Sequence, residues 1–290
     1  MASVHHRYAT VEGQRLFYRE AGPDNAPVIV LLHGFPASSF MFRDLIPALA
    51  ERYHVIAPDL LGFGFSDAPP ASEFSYTFDA LTGLTAGLLA QLGVTRYAMY
   101  VQDYGAPVGW RLALADPQAV TAIITQNGNG YEAGFVEAFW KPIRDFHQEQ
   151  TPETEAGVRT ALTLEATRWQ YLAGVPDETL VSPDTWHHDF ALLSRPGNDE
   201  IQVALFRDYA TNPPLYPALH EYLRRSQPPV LAVWGKGDEI FGPDGARAFA
   251  DDVPNAEIHL LDGGHFLLES AGDQVAALVL DFMDRVPQGR

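Results

Sequence analysis

Cysteine is absent from this 290-residue chain, which excludes disulfide bonds and metal sites built on thiolates. Basic residues are scarce, since 19 lysines and arginines face 37 acidic residues and the formal net charge is −18. This balance, without any basic cluster, argues against nucleic acid as a partner. Long apolar runs are also missing, both in the opening MASVHHRYAT and elsewhere, so neither a signal segment nor a membrane span is expected. We therefore predict a cytoplasmic protein that does not bind membranes.

The residues that are present are typical of a folded protein with a large core. Hydrophobic residues make up 47% of the chain and charged residues 19%, which argues against extended disorder. A chain of 290 residues can form one large domain or a core that carries an inserted lid. The acidity itself indicates solubility and does not identify a partner.

Short apolar runs that alternate with helical patterns predict an α/β fold. Continuous apolar runs are expected for strands covered on both faces. They lie at residues 27–32, 54–59, 120–125, 229–234 and 258–261, with a further run ending at Val101. Helical patterns lie at residues 42–52, 78–92, 246–250 and 274–282. The order of these elements predicts a mostly parallel central sheet with flanking helices.

The alternation of strands and helices stops between residues 131 and 226. That block holds helical segments that are rich in aromatic residues and separated by prolines. The strand pattern resumes at residue 229. We therefore predict a first core part at residues 1–129, an inserted helical cap at residues 130–227 and a second core part at residues 228–290.

Three acidic or basic side chains follow predicted strands. Asp103 stands in Gln102-Asp103-Tyr104-Gly105, where a strand turns sharply into a helix and a small residue follows two places after the tip. Asp238 follows the strand at residues 229–234, and His265 follows the last strand. A lone aspartate in such a place is usually a helix cap or turn residue, and Glu239 is an alternative to Asp238. Together, in the order nucleophile, acid and base, they predict a catalytic triad.

These motifs resemble the α/β-hydrolase superfamily over nearly the whole chain. The resemblance rests on the motifs at residues 33–36, 59–67, 101–105, 235–238 and 264–266. It implies the α/β-hydrolase fold with an inserted helical cap. An aspartate at the tip of the turn resembles the epoxide hydrolases and the haloalkane or haloacid dehalogenases, and differs from the esterases and lipases.

The expected chemistry starts from a carboxylate that is already ionised at pH 7. Asp103 would attack a saturated carbon and form an ester of its own side chain. Water activated by His265, which Asp238 orients, would then hydrolyse the ester. The backbone N–H groups of Tyr104 and Phe35 would bind the resulting oxyanion. The predicted reactants are water and a small, apolar, electrophilic molecule, and neither a cofactor nor a metal is implied.

The leaving atom distinguishes the two activities that the resemblance implies. Dehalogenases resemble one another in placing tryptophan after the nucleophile as a halide donor, whereas this chain has Tyr104. The loop His33-Gly34-Phe35-Pro36 is also more similar to that of epoxide hydrolases than to the asparagine-bearing loop of haloalkane dehalogenases. Fluoroacetate-type dehalogenases are expected to carry arginines beside the nucleophile, and the first arginine here is Arg111. The residues therefore favour an epoxide hydrolase.

Epoxide hydrolases use acidic cap side chains, usually tyrosines, to protonate the epoxide oxygen. By this resemblance Tyr209 and His147 are the candidate donors, although a cap histidine also occurs in fluoroacetate dehalogenases. A dehalogenase remains the alternative, with Trp140, Trp169 or Trp186 as halide donor. A third possibility is a non-catalytic binder that keeps the fold, against which the complete triad argues. The sequence indicates neither the oligomeric state nor the selectivity for a particular substrate.

Overall fold

An eight-stranded sheet runs through the computed structural model, which describes residues 2–287. The strands lie in the order β1-β2-β4-β3-β5-β6-β7-β8. β1 and β2 pair antiparallel, as do β2 and β4, and all other neighbours are parallel. The bounds are β1 His5–Val11, β2 Gln14–Ala21, β3 Val28–Leu32, β4 His54–Pro58, β5 Tyr97–Val101, β6 Val120–Gln126, β7 Val230–Gly235 and β8 Glu257–Leu261. The predicted α/β-hydrolase fold, with its mostly parallel sheet, is confirmed.

Eleven α-helices accompany the strands in the described part of the chain. None of them combines the length and the apolar character that crossing a bilayer requires. Their bounds are α1 Leu45–Leu49, α2 Phe78–Gln91, α3 Gly105–Ala115, α4 Glu137–Gln148, α5 Pro152–Arg159, α6 Leu164–Leu172, α7 Pro183–Leu193, α8 Asn198–Asp208, α9 Tyr216–Ser226, α10 Pro243–Asp252 and α11 Leu267–Arg285.

The hydrophobic core has two layers, one on each face of the sheet. Because side chains alternate along a strand, Val30 and Leu32 point to one face while Ile29 and Leu31 point to the other. α2, α3 and α10 cover the first face, and α1 and α11 cover the second. All four side chains are fully buried, which explains why this strand is apolar at every position.

Two helix predictions are wrong in their extent. The helix expected at residues 42–52 is only Leu45–Leu49, preceded by a 3-10 turn at Ser39–Phe42. Hydrogen bonds to Ser38 Oγ and to the Asp59 carboxylate fix that turn, a signal that helical periodicity does not contain. The last helix begins seven residues earlier than the expected 274, at Leu267, with non-helical dihedral angles at Ala271. Polar and small residues in its first turns interrupt the apolar period.

The segment between β6 and β7 contains α4 to α9, and we refer to residues 127–229 as the insert. Short 3-10 turns connect several of its helices, at Glu132–Gly134, Thr160–Leu162, Glu178–Leu180, Tyr209–Thr211 and Pro213–Leu215. An isolated bridge between Phe135 and Phe241 joins the start of the insert to the segment after β7. The helical character of the insert accords with the expected cap, whereas its treatment as a separate domain at residues 130–227 stays a prediction.

Tyr171 in α6 joins the insert to the core next to His265. Its ring stacks on Phe266 with 4.0 Å between ring centroids and 6° between planes. Its hydroxyl donates a hydrogen bond to Asp189 in α7, and both side chains are buried. Burial raises the pKa of Asp189 to about 8, since it outweighs the hydrogen bond from Tyr171 that lowers the pKa. The aspartate is therefore protonated in the folded protein at neutral pH.

Asp189 should make the free energy of unfolding decrease as the pH rises. The variant Asp189→Asn should lack this contribution to the pH dependence. Between the usual aspartate pKa and about pH 8, the folded chain keeps a proton at Asp189 that the unfolded chain has released. The free energy of unfolding should therefore decrease by up to about 1.4 kcal/mol per pH unit in this window, on account of this group.

Thermal unfolding of wild type and Asp189→Asn from pH 5 to pH 9 measures this contribution as a difference between the two proteins. The control is Asp184→Asn, which removes an exposed carboxylate from the same helix and should leave the slope unchanged. Parallel pH profiles of wild type and Asp189→Asn would contradict the prediction.

Candidate active site

Asp103 occupies a sharp turn between β5 and α3. Its φ of +46° lies in the left-handed region, which aspartate tolerates better than most residues. The turn is possible because glycines lie on both sides: a Cβ at Gly105 would be 2.1 Å from the Leu32 carbonyl oxygen, and one at Gly34 would be 2.2 Å from the Asp103 Cβ. The sequence thus places Asp103, with a strained backbone, at the carboxyl end of the central strand. Ligands of open α/β sheets bind at this end of the strands.

Two backbone N–H groups hold this carboxylate. The Phe35 N–H donates to Asp103 Oδ1 at 2.7 Å, and the Tyr104 N–H also hydrogen-bonds to the carboxylate. The N-terminus of α3 lies beside Asp103 and favours negative charge there. Oδ1 is therefore fixed by the Phe35 N–H, and Oδ2, on the side of His265, is the oxygen available for chemistry. These are the two N–H groups that the sequence predicted for an oxyanion.

His265 lies between Asp103 and Asp238. Its Nδ1 is 2.8 Å from Asp238 Oδ2, and its Nε2 is 3.8 Å from Asp103 Oδ2. Since a carboxylate only accepts, Nδ1 carries the proton, and the unprotonated Nε2 lies on the side of the ring that faces Asp103. The N–H groups of Ile240 and Phe241 donate to the other oxygen of Asp238, at 2.7 and 3.2 Å. The structure brings the three predicted residues together, with Asp238 rather than Glu239 bonded to the histidine.

Burial and mutual charge shift the pKa values of this cluster. Burial raises the pKa of Asp103 above the usual aspartate value, although the nearby His265 and the two N–H groups lower it. Burial lowers the pKa of His265, but the charge and hydrogen bond of Asp238 and the charge of Asp103 outweigh it, so the net pKa is raised. The arrangement therefore stabilises an imidazolium between two carboxylates, which suits a base that must accept a proton.

Asn127 is a residue of this cluster that sequence reasoning missed. It directly follows β6 with a φ of +48°, and its side-chain N–H donates to Asp238 Oδ2 at 2.7 Å. Its Oδ1 accepts from the Gly235 N–H at 3.0 Å, so the amide ties the end of β6 to the end of β7. The available signal was its position in Asn127-Gly128 at a strand end, the same feature that identified the aspartates.

An aromatic cluster surrounds the turn at Asp103. The Tyr104 ring has neighbours from two helices, a 3-10 turn and two loops, with centroid distances of 5.1 to 6.4 Å, namely Phe35, Phe63, Phe78, Phe206 and Tyr209. Tyr209 is buried, and burial together with the charges of Tyr216 and Asp103 raises its pKa well above the usual value. Its hydroxyl therefore stays protonated and can act as a hydrogen-bond donor near the carboxylate.

Two other expected donors, His147 and Trp140, donate to backbone carbonyl oxygens. His147 Nε2 donates to the Phe206 carbonyl oxygen at 2.7 Å, so this ring nitrogen joins α4 to α8, and its role towards a substrate stays a prediction. Burial lowers the pKa of His147, which favours the neutral imidazole. The indole N–H of Trp140 donates to the Ile240 carbonyl oxygen at 2.9 Å. Trp140 is thus engaged with the backbone, although its ring lies 4.6 Å from that of Tyr209.

Comparison with known proteins gives matches along most of the chain. A family model described as the alpha/beta hydrolase fold matches residues 27–271. An uncharacterized hydrolase of Saccharomyces cerevisiae is 44% identical, with 91% of this chain and 92% of that protein covered. A haloalkane dehalogenase of Mycobacterium marinum is 30% identical, with 92% and 88% covered. The epoxide hydrolase CorEH superimposes with a TM-score of 0.77 at 23% identity, covering 98% and 100%, a likeness of fold alone.

Proposed function

The chain belongs to the α/β-hydrolase fold family, and within it we propose an epoxide hydrolase that forms a covalent ester on Asp103 and needs no cofactor. The proposal rests on the donors around the carboxylate. The residue after Asp103 is a tyrosine, the nearby Trp140 indole N–H is already donated to the backbone, and Tyr209 offers a protonated hydroxyl. Phenolic donors suit an epoxide oxygen, which remains attached to the substrate as an alkoxide and needs a proton.

In the first step, Asp103 Oδ2 attacks a ring carbon of the epoxide. The carbon–oxygen bond of the ring breaks, and the alkoxide takes a proton from Tyr209. His147 is the second proposed donor, and it would act once its Nε2–H leaves the Phe206 carbonyl oxygen. Oδ1 stays in its hydrogen bond with the Phe35 N–H, at 2.7 Å, so only Oδ2 is free to react. The product is a hydroxyalkyl ester of Asp103, and its formation does not require His265.

In the second step, His265 takes a proton from water, whose oxygen attacks Cγ of the Asp103 ester. Negative charge develops on Oδ1, which already accepts from the Phe35 N–H, and the Tyr104 N–H at the same carboxylate is the second proposed donor. The tetrahedral intermediate collapses, the bond between Cγ and the alkyl oxygen breaks, and that oxygen takes the proton held by His265 as the diol leaves. The second proton of the attacking water, left on the Asp103 carboxyl group, returns to the Tyr209 phenolate and restores the resting enzyme. One oxygen of the diol therefore comes from Asp103, and water replaces it in the carboxylate.

The second candidate is a dehalogenase with the same triad. The sequence relative with that activity, at 30% identity, supports it. A panel of epoxides assayed for diol, beside haloalkanes and haloacids assayed for halide, decides between the two. We expect diol formation, and halide release without diol formation would refute the proposal.

The third candidate, a non-catalytic binder, predicts no incorporation of oxygen into the protein. Repeated turnover in ¹⁸O-labelled water should label the carboxylate of Asp103, which peptide mass spectrometry detects. An unlabelled Asp103 under confirmed turnover would refute the ester mechanism. The cytoplasmic location of the enzyme, inferred from composition, is part of the same proposal.

Tyr209→Phe should slow ester formation on epoxides roughly tenfold to 100-fold, because one proton donor to the alkoxide is lost. Hydrolysis of the ester should be unchanged, since the alkoxide is already protonated by then. The control is Tyr222→Phe, which removes the hydroxyl of another buried tyrosine of the insert, in α9. Stopped-flow measurement of both steps checks this, and equal slowing by the two variants would argue against Tyr209 as a donor.

A further inference from the structure

The side chain of Gln102 contacts the catalytic face of His265. Its Nε2 lies 2.8 Å from His265 Nε2, a full 1.0 Å closer than Asp103 Oδ2, which is 3.8 Å away. Gln102 is completely buried. Its Oε1 has no hydrogen-bond partner among the residues that the structure describes. The nearest polar neighbour of His265 Nε2 is therefore the side-chain amide of Gln102, which lies outside the triad. Its nitrogen has a hydrogen-bond partner and its oxygen has none among the described residues.

The hydrogen bond from His265 to Asp238 determines which atom donates in the contact between Gln102 and His265. Because His265 Nδ1 donates to Asp238, the lone pair of neutral His265 is on Nε2, and Gln102 must donate to it. Leaving Oε1 buried without a partner is unfavourable, by about 1–3 kcal/mol for a typical polar atom. When His265 accepts a proton from water, the same contact would place two N–H groups against each other. Rotation of the amide by 180° removes the clash and gives Oε1 its missing partner.

We propose that Gln102 is a positioning residue for His265, donating to neutral His265 through Nε2 and accepting from the imidazolium through Oε1 after the amide rotates. A side-chain amide carries both a donor and an acceptor, and rotation about its last bond exchanges their positions. In the resting protein the amide holds the ring between Asp238 and Asp103. During ester hydrolysis it stabilises the charge that His265 acquires. The mechanistic consequence rests on the proposed function, whereas the contact itself exists in the free protein.

Two substitutions separate the donor and acceptor functions of Gln102. Gln102→Met keeps the length of the side chain and removes both, so ester hydrolysis should slow roughly tenfold to 100-fold, the range expected for a hydrogen bond to a charged group. Gln102→Glu keeps only an acceptor and adds charge, which should raise the pKa of His265 and keep the base protonated at neutral pH. Hydrolysis by this variant should then recover only at higher pH. Ester formation should stay within about threefold of wild type in both, since Asp103 attacks without His265.

The test combines ¹⁵N NMR of labelled histidine with single-turnover kinetics. In the free enzyme, the Nε2 resonance of His265 should shift in Gln102→Met, and its titration should move to higher pH in Gln102→Glu. The control is Gln126→Met, because the buried Gln126 amide donates to the backbone oxygen of His265 and not to its ring. It should leave both the Nε2 resonance and the titration unchanged.

Intact-mass measurement of the ester over time supplies the kinetic half of the test. Slower ester decay with unchanged ester formation in Gln102→Met supports the proposal. Wild-type decay in both variants, or an Nε2 resonance that neither variant moves, overturns it. If wild type itself forms no ester on any epoxide, the proposed function fails, and the NMR titration still decides the role of Gln102. Thermal unfolding of each variant confirms that the comparison is between folded proteins.

Discussion

Replacing His265 with glutamine is expected to give a protein that reacts once with an epoxide and then stops. Glutamine fills much of the same space and cannot act as a base for water at neutral pH. The nucleophile is unaffected, because Asp103 Oδ1 is held by the Phe35 N–H and Oδ2 attacks as an anion. Ester hydrolysis should slow by roughly 10²- to 10⁴-fold, the usual contribution of general base catalysis.

Intact-mass spectrometry measures this outcome directly, as a stoichiometric mass increase equal to the mass of the epoxide. Digestion should locate the added mass on the peptide that contains Asp103. His259→Gln is the matched control, since it replaces a histidine in the strand that precedes His265, within β8, and should retain full turnover. Steady diol formation by His265→Gln at the wild-type rate would show that another group activates the water.

The three residues of the site could be predicted from the sequence because the ends of buried strands can be recognised in it. The run at residues 27–32 is apolar at every position since both faces of β3 are covered, and the residues after such runs stand at one edge of the sheet. Parallel pairing of β3, β5, β6, β7 and β8 then brings the ends together without further information. Asp103, Asp238 and His265 could therefore be grouped before any distance was known.

Residues that act through side-chain hydrogen bonds could not be predicted in this way. Gln102 and Asn127 look like ordinary polar residues at strand ends, and only the distances to His265 Nε2 and Asp238 Oδ2 distinguish them. Site residues in the insert were more difficult to predict, because its helices carry aromatic residues on several faces. His147 is expected as a proton donor, which stays a prediction, and its Nε2 donates to the carbonyl oxygen of Phe206 in α8, a contact that the sequence did not indicate. Helical periodicity predicts which face is buried and not which atom a side chain reaches.

Asp103→Asn should abolish epoxide opening while leaving the fold intact. The amide oxygen can still accept from the Phe35 N–H, as Oδ1 does at 2.7 Å, but the amide nitrogen in the place of Oδ2 is a poor nucleophile. The rate should fall by about 10⁴-fold or more, the scale observed when an enzyme loses its nucleophile. Asparagine also tolerates the φ of +46° at this position, so the thermal unfolding temperature should stay close to that of wild type.

Asp103→Ala separates the loss of chemistry from the strain of the turn. Alanine in the left-handed region is disfavoured by roughly 1–2 kcal/mol, so this variant should be both inactive and less stable than Asp103→Asn. Stopped-flow assays and thermal unfolding of the two variants, with intact mass confirming the amide in Asp103→Asn, test both parts. Activity within tenfold of wild type in verified Asp103→Asn would mean that the ester forms elsewhere or not at all. Loss of activity in both variants, with stability lost only in alanine, is the result expected if Asp103 is placed in its strained turn to serve as the nucleophile.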